Sequence, residues 1–237
     1  MRKDERENNQ RREMKFTPNV LPNAAGSVLV ETGNTKVLCS CMIENKTAPF
    51  LIGTGKGWLT AEYSMLPAST PIRKARERSK IDGRSTEIQR LIGRALRTAI
   101  NLDIIGERSI YIDCDVIAAD GGTRTASICG GYAALALAIQ KWLNEGSLET
   151  NPLCEGVAAI SVGMVDGQAM LDLCYEEDSH AEVDMNVVMT HSGNFIEIQG
   201  TGEERSFSKQ ELDEMLSIAE QGIKEIIILQ KTLLENK

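Results

Sequence analysis

Histidine is scarce: only His180 and His191 occur among 237 residues, and that removes several kinds of chemistry. A serine or cysteine triad would have to use one of them, and neither lies in a nucleophile context. A zinc site of the Cys/His kind lacks its spacing. Both histidines read as surface loop residues. The six cysteines (39, 41, 114, 129, 154 and 174) include no C-x-x-C pair and lie mostly inside apolar segments. They read as small buried thiols of a reducing cytosol rather than as disulfides. No run reaches the ~18 apolar residues of a membrane-spanning helix. The basic start (Arg2, Lys3, Arg6, Arg11, Arg12, Lys15) is followed by no apolar region, so it is not a secretory signal. Gly53, Gly55 and Gly57 make no dinucleotide fingerprint, because Trp58 stands where the third glycine would fall. They also lack the Lys-Ser/Thr ending of a phosphate-binding Walker loop.

What is present is an ordinary globular composition, 42% apolar and 25% charged. The length suits one domain, residues 1–237, or a closely fused pair of related halves. The net charge of −8 argues against a polyanionic partner, but its distribution argues for one. Residues 73–97 hold nine cations against three acids, while the remainder of the chain is strongly acidic. Such a patch suits nucleic acid reaching one site, and suits equally a solvated helix face with its capping charges.

Periodicity places the elements. Strands are expected at 27–31 and 35–43, joined by Gly33-Asn34, and another near Trp58–Tyr63. Ile88, Leu91, Ile92, Ala95, Leu96 and Ala99 form one apolar stripe of a helix over 85–100. Arg90, Arg94 and Arg97 cluster on its opposite side. A strand over 108–117 leads through Asp120-Gly121-Gly122 into a helix over about 123–144 that carries no charge from Thr125 to Gln140. A helix apolar all round is buried all round, and Gly130 and Gly131 imply close backbone packing within it. Strands are expected at 156–165, 168–174, 183–190 and 194–199, then a helix from Ser208 to about Leu234 opened by a Ser-Lys-Gln-Glu capping box. The order is mixed α/β, with no countable internal repeat.

Two constellations could carry chemistry. Gly121-Gly122-Thr123-Arg124-Thr125 opens the buried helix, where free backbone N–H groups and an arginine fork suit a phosphate. The segment also reads as an ordinary glycine turn, except that Arg124 beside an uncharged helix needs a partner. Asp172, Glu176, Glu177, Asp178, Glu182 and Asp184 put six acids into thirteen residues. Clustered carboxylates can hold Mg²⁺ or raise one member's pKa until it serves as a general acid, and they can equally form a solvated loop. Asp184 and Asn186 share one strand face, opposite Met185, Val187 and Met189.

These segments, taken in order, resemble the ribonuclease PH family. The resemblance rests on Gly83 to Arg94, Asp113-Cys114-Asp115-Val116, Asp120 to Ile128, Glu177-Asp178-Ser179 and Asp184 to Met189. Gly26 to Val30 and Gly57 to Tyr63 add to it, and it spans nearly the whole chain. It implies an α/β (α+β) fold, a duplicated β/α unit with mixed sheets and helices packed between them. It implies a phosphorolytic 3′→5′ exoribonuclease that trims the 3′ ends of tRNA precursors and other RNA, with inorganic phosphate as co-substrate and nucleoside 5′-diphosphates as products. Arg84, Gly122, Thr123 and Arg124 match its phosphate-binding residues. Asp178 and Asp184 match its catalytic aspartates and are the candidate Mg²⁺ ligands. Arg73 and Arg76 match oligomer contacts. With Arg90, Arg94 and Arg97 they form the candidate RNA-binding or oligomer surface. A cytoplasmic homohexamer, a trimer of dimers, is implied, with single-stranded RNA 3′ ends as partners and no membrane.

The chain departs from the family pattern at Ala68, where arginine often follows Met-Leu-Pro, which bears on ring size. It departs also at Glu5 (glycine is usual), Glu13, Cys129 and His180, the first two at a start expected to face RNA. The alternatives are a catalytically silent RNA-binding ring subunit, which would be expected to lose the arginines or aspartates, and a metal-dependent hydrolytic nuclease. Polynucleotide phosphorylase needs two such units, for which the chain has no room.

Overall fold

The computed structural model describes residues 2–76 and 82–235. Glu77, Arg78 and Lys80 of the basic window lie outside the described residues. Two sheets organise the chain. The first has the order β1-β2-β3-β5-β4, from β1 (Met14–Pro18), β2 (Gly26–Thr32), β3 (Thr35–Glu44), β4 (Trp58–Met65) and β5 (Ser109–Ala118). The second has the order β7-β6-β8-β9, from β6 (Val157–Val165), β7 (Gln168–Leu171), β8 (Val183–Thr190) and β9 (Phe195–Gly202). Among these neighbours only β4 and β5 run parallel, and the chain between them forms α1 (Gly83–Arg97) and the single turn α2 (Leu102–Ile105).

Between the sheets lies α3 (Thr123–Asn144), the charge-free helix of the sequence. Every residue from Thr125 to Ile139 is buried, against β2, β3 and β5 on one side and β6 on the other. Its glycines do what the composition suggested. A Cβ at Gly130 would lie 2.5 Å from Val30 Cγ2 and 2.6 Å from Cys39 Sγ, and one at Gly131 would lie 3.1 Å from both Ile112 and Leu96. Alanine at 130 would gain about 1 kcal/mol of helix propensity but would overpack a filled interface by roughly 1–3 kcal/mol. We expect Gly130→Ala to destabilise by up to a net ~2 kcal/mol, read as a lower thermal midpoint in calorimetric unfolding.

The stripe of α1 is buried against β4 and α3, as its periodicity requires. The helix begins at Gly83, where the Asp82 side chain accepts from the Ser85 amide, and ends at Arg97, one residue before Thr98 bonds back to the Ala95 carbonyl at 2.6 Å. The last helix, α5 (Lys209–Glu235), packs on β6 and β7. Its capping box is formed: the Ser208 amide donates to Glu211 Oε2 at 2.7 Å, and the Glu211 amide donates to Ser208 Oγ at 3.2 Å. Apolar side chains from both sheets, α1, α3 and α5 form one contiguous core. The fold is mixed α/β with helices between and over the sheets. Among the described residues no helix is long and apolar enough to cross a membrane.

Three expectations need correction. The strand expected to reach residue 174 stops at Leu171, because Asp172 turns to φ +52° and sends its carboxylate into a buried ion pair with Arg12. His191 is not a surface residue: its ring is half-buried, edge-on to Tyr132, with Nε2 2.9 Å from Oε1 of the buried Gln230. The basic start does not simply face outward either. Arg2 and Arg12 are each 5% exposed and fold over residues 171–177. The cysteines meet expectation at 39, 41, 114 and 129, which are buried free thiols, whereas Cys154 is exposed.

Candidate active site

A turn held from outside begins the site. Gly121 and Gly122 both adopt positive φ, +71° and +66°, which L side chains rarely adopt. A Cβ at Gly121 would also strike the Leu173 carbonyl at 2.4 Å. The β2–β3 hairpin pins this turn: Thr35 donates its hydroxyl to the Gly121 carbonyl at 2.7 Å, and Asn34 donates to the Asp120 carboxylate at 3.1 Å. From it α3 starts abruptly. The first intrahelical bond runs from the Ala126 amide to the Gly122 carbonyl, and Gly122 has no side chain with which to cap the helix. The amides of Thr123, Arg124 and Thr125 are therefore left without intrahelical acceptors, at the positive end of a helix that is buried from Thr125 to Ile139. Tyr63 of β4 fixes Thr123 through a buried hydroxyl pair at 2.8 Å.

Around this helix end lies a cleft of about 530 Å³, lined by Arg84, Gly121, Gly122, Thr123, Arg124, Asp178 and Asp184 among others. A neighbouring, more polar cavity of about 490 Å³ shares Arg84, Arg124, Asp178 and Asp184 with it. The six phosphate-binding and catalytic candidates thus meet in one place, although they come from α1, α3, α4 (Tyr175–Asp178) and β8. Arg84 is exposed in the first turn of α1. Arg124 donates to Gln199 Oε1 at 3.0 Å and lies 3.8 Å from Glu87, to which Gln199 also donates. That triangle is the partner its position demanded.

The acidic run divides on structural grounds. Asp172 is buried against Arg12, Glu176 pairs with Lys3, Glu177 takes both ends of the Arg2 fork, and Glu182 pairs with Arg205. Only Asp178 and Asp184, among these six, line the cleft. Burial raises the Asp178 carboxyl, against the pull of Arg84 and Arg124. Burial, and then the charge of Asp178, push Asp184 up to about 6, again opposed by Arg124 and Arg84. A carboxyl at that value is part acid and part base near neutrality. Burial would push Asp172 up as well, but Arg12 overrides it through hydrogen bonds and charge and holds that carboxyl below its usual range.

The outer arginines are less uniform. Arg73 and Arg76 are exposed in the irregular segment after β4, as is Ala68, and Arg90 is exposed on α1. Arg94 makes a two-pronged pair with Glu197, at 2.6 and 3.1 Å. Arg97 donates to the Leu59 carbonyl at 3.0 Å and lies over the Trp58 ring. Ser161 and Tyr175, which the sequence reading missed, also line the cleft, as does Asn186, which stands opposite Ser161 on β8 and shares the strand face of Asp184. A lone hydroxyl in the otherwise apolar run Val157–Val165 was the available signal for Ser161.

Comparison with known proteins agrees with this geometry. Residues 10–139 match the model of the 3′ exoribonuclease family, domain 1, and residues 156–222 match its domain 2. The chain is 56% identical over 236 residues to ribonuclease PH of Bacillus pumilus, covering 98% of each chain. It is 55% identical over 237 residues to ribonuclease PH of Bacillus subtilis, covering 99% of this chain and 97% of that one. Among solved structures, rice Rrp46 superposes with a TM-score of 0.81 at 20% identity, covering 99% of this chain and 100% of that one. The exosome of Archaeoglobus fulgidus with RNA bound to its active site also scores 0.81 at 20% identity, covering 95% and 91%. At that identity these two likenesses speak for the fold alone. The curated relatives and the two domain matches carry the conclusion that the chain belongs to the ribonuclease PH family of phosphorolytic 3′ exoribonucleases.

Proposed function

We propose that this cleft seats inorganic phosphate beside the last phosphodiester of an RNA and that Asp178 and Asp184 serve the departing ribose oxygen. Two anions must share one site in such a reaction. Arg84, Arg124 and the open amides of Thr123 to Thr125 supply positive potential for both, with Gly122 allowing close approach. A phosphate oxygen attacks the terminal phosphorus in line, and the bond to the 3′ oxygen of the preceding nucleotide breaks. That oxygen takes a proton from the Asp178/Asp184 pair, and a nucleoside 5′-diphosphate is released.

The observation that carries this reading is the juxtaposition itself: two arginines and an uncapped helix end face a carboxylate pair, one member of which is pushed up to about 6 by burial. Asp178 and Asp184 also suit Mg²⁺, since a cation would relieve their mutual repulsion. Among the described residues no group of three or more metal-binding side chains occurs, so such an ion would be held by this pair together with water and substrate oxygens. It would supply charge for the leaving oxygen.

The substrate in this reading is a single-stranded 3′ end, tRNA precursors above all, with the exposed Arg73, Arg76 and Arg90 placed to meet RNA or a neighbouring subunit. The chain acts as one unit over 1–237, a reading that the shared core supports. In this reading it assembles as a cytoplasmic homohexameric ring, as the resemblance to its family implies.

Labelled RNA incubated with and without phosphate tests the proposal. Diphosphates that form only with phosphate are the expected products, whereas monophosphates formed at full rate without it would mean hydrolysis, and no product a silent binding subunit. In the same assay Arg124→Ala should raise the phosphate KM about tenfold or more, because it loses a charge-assisted contact to that substrate.

A further inference from the structure

At the floor of the cleft lies a hydroxyl with nothing to bond to. Ser161 is 4% exposed, and its Oγ is buried with no hydrogen-bond partner among the described residues. Its place is set by the sheet. Ser161 stands opposite Asn186 on β8, and Asn186 stands opposite Gln199 on β9, the residue that receives Arg124. On its other side the Ser161 carbonyl accepts the Asp172 amide at 2.8 Å, and Asp172 Oδ1 lies 3.7 Å from where a Cβ at Gly122 would be. The rung Ser161–Asn186–Gln199 therefore runs beneath the start of α3, from the Gly122 end toward Arg124. Buried hydroxyls in native proteins are ordinarily paired, and an unpaired one on a residue that lines the cleft is what a ligand would complete.

We propose that Ser161 Oγ donates a hydrogen bond to a phosphoryl oxygen held at the α3 N-terminus, as a floor contact that sets the position of the bound phosphate. The inference rests on the phosphorolytic reading of the cleft. A phosphate oxygen fits this place better than a base or a ribose edge. The open amides of Thr123 to Thr125 and the Arg124 fork at the helix end are donors, and Ser161 adds a neutral donor where a further cation would have to be desolvated. Free phosphate and the scissile phosphodiester of RNA share this chemistry, and experiment separates them.

The test compares wild type with Ser161→Ala and with Ser161→Cys, which keeps the shape but is a poor donor. Both should fold, with unliganded thermal midpoints no lower than that of wild type, because they remove an unsatisfied buried group. Both should weaken binding of inorganic phosphate to the RNA-free protein, followed by calorimetry, about five- to tenfold, and raise the phosphate KM to match while the RNA KM stays within twofold. A rise in the RNA KM alone would place the contact on the scissile phosphodiester. Phosphate binding and both KM values within twofold of wild type would overturn the proposal. Failure of the underlying reading looks different: wild type itself would bind no phosphate and would cut RNA equally well without it.

Discussion

Asp184→Asn is expected to lower turnover by about 10²–10⁴, the range for removing a positioned acid or charge stabiliser, while RNA binding is largely kept. The same substitution should raise stability above neutral pH. Because the folded protein holds the Asp184 proton up to about 6, it binds more protons than the unfolded chain between the ordinary carboxylate value and that point. Stability contributed at this position therefore falls as pH rises through that window, and an uncharged asparagine recovers it. A merely structural aspartate would show the opposite pairing, with activity kept and stability lost. The kcat/KM profile should also change. In wild type the rate should fall as Asp184, pushed up to about 6 in the unliganded protein, loses its proton. That limb should be absent from the residual activity of the variant. Turnover within about threefold of wild type at saturating phosphate would remove Asp184 from the mechanism.

The second large effect concerns Arg12. Its backbone amide, Nε and Nη2 donate to the Asp172 carboxylate at 2.8, 3.1 and 2.7 Å, and Nη1 reaches the Asp120 carbonyl that begins the glycine turn. Arg12→Met would leave an almost wholly enclosed carboxylate with only the backbone amide of residue 12 and Arg6, 3.9 Å away, as compensation. Breaking a buried pair from one side costs about 3–5 kcal/mol. In a chain of this size that is a fall of roughly 6–20 °C in the thermal midpoint. The double change Arg12→Met with Asp172→Leu should recover most of it, because no lone charge then remains. The pH dependence has a definite sign. In wild type the depressed Asp172 pKa contributes stability that is present above the unfolded carboxylate value and lost as pH falls through the folded one. In the single variant burial is opposed only by Arg6 and the backbone amide, so the deficit relative to wild type should be full near pH 7 and shrink on acidification. Denaturant midpoints for all three proteins at two pH values check each part.

These two residues mark how far the sequence alone could be read. Asp184 was legible because a strand of alternating residues put it on the face away from Met185 and Val187, and because the whole run resembled a family. The amphipathic α1 and the charge-free α3 were legible because the information is local: a stripe of six positions, and a run without charge. Arg12 was not, since its partner lies 160 positions away and nothing near it in the chain distinguishes an inward arginine from an outward one. The short edge strand β1 (Met14-Lys15-Phe16-Thr17-Pro18) carries too weak an alternation to declare itself, and α4 is a single turn. Glu5 shows the converse. It holds φ +62°, a conformation that favours glycine, at a position where the family usually has one, so the backbone requirement remained although the residue changed.

The order in which the parts of the cleft occur along the chain has a consequence for biosynthesis. Arg84 and the glycine turn lie well upstream of Ser161, Asp178 and Asp184 in the polypeptide, and the arginines that clasp residues 171–177 stand at positions 2 and 12. During translation the anion-binding half would emerge well before the carboxylates, and contacts closing loops of about 160 residues form late. A nascent chain, surrounded by the RNA of the ribosome that is making it, would thus carry a cradle without its acids. Chemical competence would arrive only once residues 171–184 have been made and have met Arg2 and Arg12.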